Sequence, residues 1–187
     1  MKSACALLAS SLLFAACTSA PAPEPAAPAA TGLATKPYAN LAQMMQAIPF
    51  PASNIIFDAQ SNDPGAKKEA AAGGAAAGAT QAYSNVYGGW LAVENAGLAL
   101  QETSNLLLIP GRMCQNGKPA PFDQDDYKKG IQLLADAGKA TVEAAKKKDL
   151  DAIVEVTGAV TEACAACHEK YRDVDDLKDR CTPKPAK

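Results

Sequence analysis

The residues best suited to chemistry lie together near the C-terminus, in Cys164-Ala165-Ala166-Cys167-His168. Two thiols separated by two residues and followed at once by an imidazole form a c-type haem-attachment pattern. The thiols add to the vinyl groups of haem to give thioethers, and the imidazole ligates iron from one side. On a helix Cys164 and Cys167 are one turn apart and His168 falls four residues after Cys164, so all three can face one porphyrin. Two other chemistries use CxxC. A closed zinc site wants four Cys or His ligands, for which only Cys114 and Cys181 remain, and both have a better use. A dithiol redox motif belongs near a βαβ pattern, which this chain lacks. One covalent haem c is therefore the expected cofactor. The protein has 1 histidine, which excludes a bis-histidine haem and any metal site built on several imidazoles of one chain.

The elements that must position this motif read as helices. Of 187 residues, 48% are hydrophobic but only 5% aromatic, and roughly a fifth are Ala, well away from average usage. Ala is the best helix former, whereas strands favour β-branched and aromatic residues. From Tyr38 to Cys181 the apolar residues recur at the helical period. A first helix covers Tyr38 to Ile48, where Pro49 and Pro51 should end or kink it, and Asn54 to Gln60 can resume it. After an Ala/Gly-rich loop (Asp63 to Thr80, with Gly73, Gly74 and Gly78), a second helix runs from Gln81 to Ile109 and stops at Pro110-Gly111. A third starts at Asp123, its expected N-cap, and ends in Lys146 to Lys148, where positive charge suits the helix dipole. A fourth starts at Asp149 or Asp151 with the stripe Ile153, Val156, Val160, Ala163, Cys167 and Tyr171. The fold class predicted is all-α, an antiparallel up-down-up-down four-helix bundle with its site in the interior. Trp90, Tyr83 and Tyr87 are read as core before haem wall, and Gly88, Gly89 and Gly97 as places of close approach inside the second helix. Asp173 to Arg180 reads as a solvated terminus.

The ends of the chain specify a compartment. Met1 to Cys17 combines one positive residue, Lys2, with a short apolar run and small residues before a cysteine, which is the pattern of a secretory signal, too short to span a bilayer. Phe14-Ala15-Ala16-Cys17 resembles a bacterial lipoprotein box, with Phe14 in place of the usual Leu. Residues 1–16 are then removed and Cys17 is lipidated; an ordinary soluble signal cut between Ala20 and Ala30 is the alternative. Residues 17–37 form a Pro/Ala-rich tether, residues 38–182 the haem-binding domain, and residues 183–187 a short tail. Cysteine accounting is then complete: Cys5 leaves with the signal, Cys17 takes lipid, Cys164 and Cys167 take haem, and Cys114 and Cys181 are left to pair. In the expected bundle the loop carrying Cys114 shares an end with the terminus preceding Cys181, so a disulfide worth ~2–4 kcal/mol is expected. The net charge of −2 lacks the basic face a nucleic-acid binder needs.

The stretch CAACHEKYR, Cys164 to Arg172, placed in the last helix of a four-helix chain, resembles the class II c-type cytochromes, the cytochrome c prime family and its low-spin relatives. The resemblance runs from about Leu41 to Arg172. It implies a haem protein of the bacterial periplasm with His168 as proximal iron ligand. Low-spin relatives place a first-helix methionine against the iron. Aligning Leu41-Ala42-Gln43-Met44-Met45-Gln46 with that pattern puts Met45 at the distal position, with Met44 as the fallback. The family often has an arginine shortly before this position, where Leu41 stands. Together with the lipoprotein-like start, the resemblance implies a lipid-anchored electron carrier between unidentified redox partner proteins, not an enzyme. The alternatives are a five-coordinate binder of nitric oxide or carbon monoxide, and a haem-free helical lipoprotein. Relatives often form a homodimer through the first two helices, a possibility that Pro49 and the glycine-rich loop leave open.

Overall fold

The computed structural model describes residues 36–66 and 87–182, and within them helix formation starts at Asn40. Its side chain accepts from the Gln43 amide at 2.9 Å while the Gln43 side chain accepts from the Asn40 amide at 3.0 Å. This reciprocal cap opens helix α1 (Leu41–Ala47). Ile48 interrupts it at φ −125°, ψ −66°, and α2 (Pro49–Ala59) follows at once. Resumption at Pro49, five residues before the expected Asn54, has a simple cause. Pro49 and Pro51 fall in the first turn of α2, where backbone amides have no intrahelical acceptor, so their missing N–H groups cost nothing.

The described residues all fall within Thr35–Lys187. The expected signal, Cys17, most of the tether, Tyr83, the glycines between 73 and 78, the start of the second helix at Gln81 and the tail 183–187 lie outside the described residues.

Helix α3 runs over Trp90–Leu107, and the described residues just before it, 87–89, are not helical. Gly89 is the reason: it sits at φ +64°, and a Cβ there would lie 2.9 Å from the Pro64 carbonyl oxygen. Gly88 and Gly89 therefore precede the helix instead of lying inside it. Helix α4 (Asp125–Lys147) takes Gln124 as its N-cap with no side-chain cap bond, so Asp123 is not the cap expected of it. Asp125 and Asp126 place negative charge in the first turn instead, where the dipole favours it. Asp149 does cap α5 (Leu150–Tyr171), accepting from the Ala152 amide at 3.0 Å.

No strand forms among the described residues, apart from one isolated bridge between Met113 and Pro119, and no helix among them is long and apolar enough to cross a membrane. The helices pack as a bundle in which α4 lies against both α3 and α5, and α2 against both α3 and α5. Close approach of α3 and α4 depends on Gly97 and Gly138. A Cβ on Gly97 would stand 2.8 Å from the Gly138 carbonyl oxygen, and one on Gly138 2.7 Å from that of Gly97, so neither position tolerates a side chain without moving a backbone. The larger core cluster joins Met44, Ile56, Leu100, Ile131, Leu134, Val160 and Ala163; a second joins Ala59, Val93, Ala145 and Ile153, with Trp90 packed against it.

The site end of the bundle is tied by polar contacts. Arg112, 4% exposed, donates from Nη1 to the Ala39 carbonyl at 2.7 Å and from Nη2 to that of Leu106 at 2.9 Å. The Leu41 amide donates to the Met113 carbonyl at 2.8 Å. Together they hold the start of α1 on the segment after α3. That segment also carries Cys114, which is disulfide-bonded to Cys181 with a Cα–Cα distance of 6.5 Å. The Asn116 side-chain amide bonds the carbonyls of Leu177, Lys178 and Arg180 at 2.9–3.0 Å, and the Cys181 amide donates to Tyr171 at 2.8 Å. The segment after α5, read from sequence as a solvated terminus, is thus folded back onto the bundle. For a sequence separation of 67, loop closure in the unfolded chain gives the disulfide about 4 kcal/mol. Replacing Cys114 and Cys181 together by Ser should lower unfolding stability by ~2–4 kcal/mol, measurable by denaturant titration under non-reducing conditions; an unchanged midpoint would contradict this.

Candidate haem site

Met45 from α1, Tyr127, Gly130 and Leu134 from α4, and Cys164, Cys167 and His168 from α5 line one cavity of about 320 Å³. Its wall is mainly apolar, and it is completed by Leu107, by Cys114 and, from the folded-back tail, by Arg180 and Cys181. Helical geometry explains the convergence on α5. Cys164, Cys167, His168 and Tyr171 stand at steps of three or four residues or adjacent to such a step, on one side of the last turns of the helix. The same period on α4 aligns Tyr127, Gly130, Ile131 and Leu134.

Both thiols are free and half-buried. Burial raises the Cys164 thiol pKa, against which the Arg172 charge acts. Burial, then the neighbouring Cys164 and Asp126, push Cys167 up to about 11. Among the described residues no group of three or more His, Cys, Asp or Glu side chains is placed to hold a metal ion. Burial, helped by Arg172, lowers the His168 pKa, against the opposing charge of Asp173. The imidazole is thereby biased to the neutral form that ligates metal.

Gly130 faces Cys167, and a Cβ at that position would collide with the Cys167 sulfur. Two of the lining residues also carry a polar atom without a partner: Tyr127 is 2% exposed and its hydroxyl, sealed from solvent, has no hydrogen-bond partner, and the same holds for the Nε of Arg180. Buried groups of this kind are rare in folded proteins. A largely apolar cavity with two free thiols, an imidazole and a thioether on its wall fits haem: thiols that could attach it, side chains of the kinds that hold iron, and an apolar surround.

The two methionines separate. Met45 lines the cavity, whereas Met44 is 4% exposed, belongs to the larger core cluster and does not line it. Trp90 packs against the second cluster and is not in the cavity wall, and Tyr87 is 67% exposed. The aromatic wall is built by residues not singled out for it from sequence. Tyr127 stands edge-on to Tyr171 at 5.8 Å between ring centroids and to Phe122 at 6.4 Å. The available signal was spacing: Tyr171 lies four residues after Cys167, on the face that the motif itself defines.

Asp126 locks this wall. It accepts from the Tyr171 hydroxyl and from Lys170 Nζ, joining the start of α4 to the end of α5 across the site. The Lys170 and Tyr171 hydrogen bonds hold the Asp126 carboxyl below the usual carboxylate range. A carboxyl depressed on folding contributes stability that is present above its unfolded pKa, about 4, and is lost as pH falls through the folded value. Asp126→Asn should therefore destabilise the protein at pH 7 and flatten the loss of stability below pH ~4, as read from thermal melts across that range. Parallel wild-type and variant curves would contradict the assignment.

Residues 116–172 match the family model for Cytochrome C'. The matched span begins in the turn after Cys114, runs through α4 and α5, includes the entire CxxCH motif and ends at Arg172. It supports a class II c-type cytochrome and implies haem c binding. It does not reach Met45 or Arg180. No curated protein and no solved structure matches the chain.

Proposed function

We propose that this protein is a monohaem c-type cytochrome that carries single electrons between redox partners, tethered by lipid on Cys17 to a membrane facing the bacterial periplasm. The helical bundle is read as antiparallel, up-down-up-down, with the haem at the end where α1 starts and α5 finishes. The observation that carries the proposal is the placement of Met45 and His168 with both thiols on one apolar cavity.

Haem, when bound, supplies an iron that cycles between ferric and ferrous states. Cys164 and Cys167 would each add S–H across a vinyl group, forming a C–S and a C–H bond, and would hold the group covalently on α5. His168 presents a neutral imidazole, and Met45 presents a thioether that raises the potential relative to a second imidazole. Because both residues stay in place in either oxidation state, little rearrangement accompanies transfer. Tyr127 and Leu134 of α4, with Tyr171 of α5, would keep water from the ring. None of these roles needs a general acid, base or nucleophile turning over substrate, so the proposed role is that of a carrier and not of an enzyme. If Met45 did not reach the iron, the same cavity would take a diatomic gas, the second reading.

Expression in a host that loads c-type haem tests the proposal. One haem should survive denaturing electrophoresis with each chain; a colourless, haem-free chain would overturn it. Separately, Cys17→Ser should release the protein from the membrane fraction, and full retention there would remove Cys17 as the anchor.

A further inference from the structure

Arg180 is the cation of the cavity wall with the least to do. Two arginines line it. Arg172 is already paired: its guanidinium donates to both carboxylate oxygens of Asp173, at 2.7 and 3.3 Å. Arg180 forms no ion pair among the described residues. Its Nη1 donates to the neutral side-chain oxygen of Gln115 at 2.8 Å, and its Nε is sealed from solvent without a partner. A guanidinium that lines a cavity with no carboxylate beside it is available to an anion there, and its fork geometry matches a carboxylate.

The backbone around Arg180 is held unusually well for a chain terminus. The residue after it is the disulfide partner of Cys114, its own carbonyl accepts from Asn116 at 2.9 Å, and the Cys181 amide bonds Tyr171 at 2.8 Å. Three ties of different kinds thus fix one arginine at the mouth of a site that otherwise offers sulfur, imidazole and hydrocarbon.

We infer that Arg180 is an anion-binding residue of the cofactor site, pairing with a propionate carboxylate of the haem, and that the Cys114–Cys181 disulfide serves to hold it there. This rests on the haem reading above. Arg180 acts on the cofactor's periphery and touches no axial ligand. Its positive charge next to the ring favours the extra electron of the ferrous state, so it raises the potential.

The test uses full-length, haem-loaded protein and its Arg180→Gln and Arg180→Lys variants. Redox-difference infrared spectra should show the propionate carboxylate bands shifted in Arg180→Gln and returned towards the wild-type position in Arg180→Lys, with the midpoint potential lowered in the first and largely restored in the second. Identical carboxylate bands and potentials in all three proteins would overturn the inference while leaving the haem reading intact. A haem-free wild-type chain would overturn both. An altered fold in Arg180→Gln would show as a lowered melting temperature; rescue of the bands by Arg180→Lys then still separates charge pairing from packing, and failure of that rescue counts against it.

Discussion

Met45→Ala should turn a low-spin haem protein into a high-spin one that binds carbon monoxide. The side chain lines the same cavity as the α5 motif although it comes from the other end of the domain, brought there by the capping box at Asn40 and by the Arg112 bonds that seat the start of α1. Alanine removes the thioether without disturbing that cap. The iron then has one protein ligand, His168, because the chain has no second histidine. The expected signature is complete: loss of the low-spin absorption pattern, appearance of a high-spin one, and a carbon monoxide adduct where the wild type forms none. Met44→Ala is the matched control. It removes a core side chain that is 4% exposed, so it should cost about 2–5 kcal/mol of stability and leave the spin state unchanged. The reverse pattern would move the ligand to Met44.

The second large effect belongs to the thiols. With Cys164 and Cys167 both replaced by alanine, denaturing conditions should strip all haem from the chain, and each single replacement should leave one thioether and an altered reduced-state spectrum. The structural consequence reaches beyond chemistry. An unfilled apolar cavity of about 320 Å³, at ~24 cal/mol per Å³, corresponds to at most roughly 8 kcal/mol. Whole-domain stabilities are about 5–15 kcal/mol. The haem-free form should therefore unfold early and without a sharp transition, and calorimetry of the double variant stripped of haem against the loaded wild type measures this. A sharp transition at the wild-type temperature would show that the cavity is not a cofactor's place.

What the residue pattern conveyed depended on how local the cause was. The stripes on α4 and α5 were legible because burial imposes a period on a single helix: Tyr127, Ile131, Ile153, Val160 and Ala163 are all at or below 4% exposed. The CxxCH motif was legible because its chemistry is local too. Element starts were less so. Gly89 looks like an ordinary helix interruption until the Pro64 carbonyl appears beside it, and Pro49 reads as a breaker although a first-turn position accommodates it. Asp123 has the right side chain for a cap and the wrong register by one residue. The tail was the largest departure. Asp176, Lys178, Asp179 and Arg180 carry the composition of a solvated end, and only the long-range bonds from Asn116 and the pairing of Cys114 with Cys181 bring Arg180 to the cavity. Tyr127 and Tyr171 share that logic, because their meeting requires two helices to be placed before either ring has a partner.

The absorption spectrum of the purified, haem-loaded protein, recorded oxidised and reduced and then under carbon monoxide, tests the central claim most directly. Ligation by His168 and Met45 predicts a low-spin spectrum in both states that carbon monoxide leaves unchanged. A high-spin spectrum that shifts on adding the gas would contradict it and make this cavity a gas-binding site.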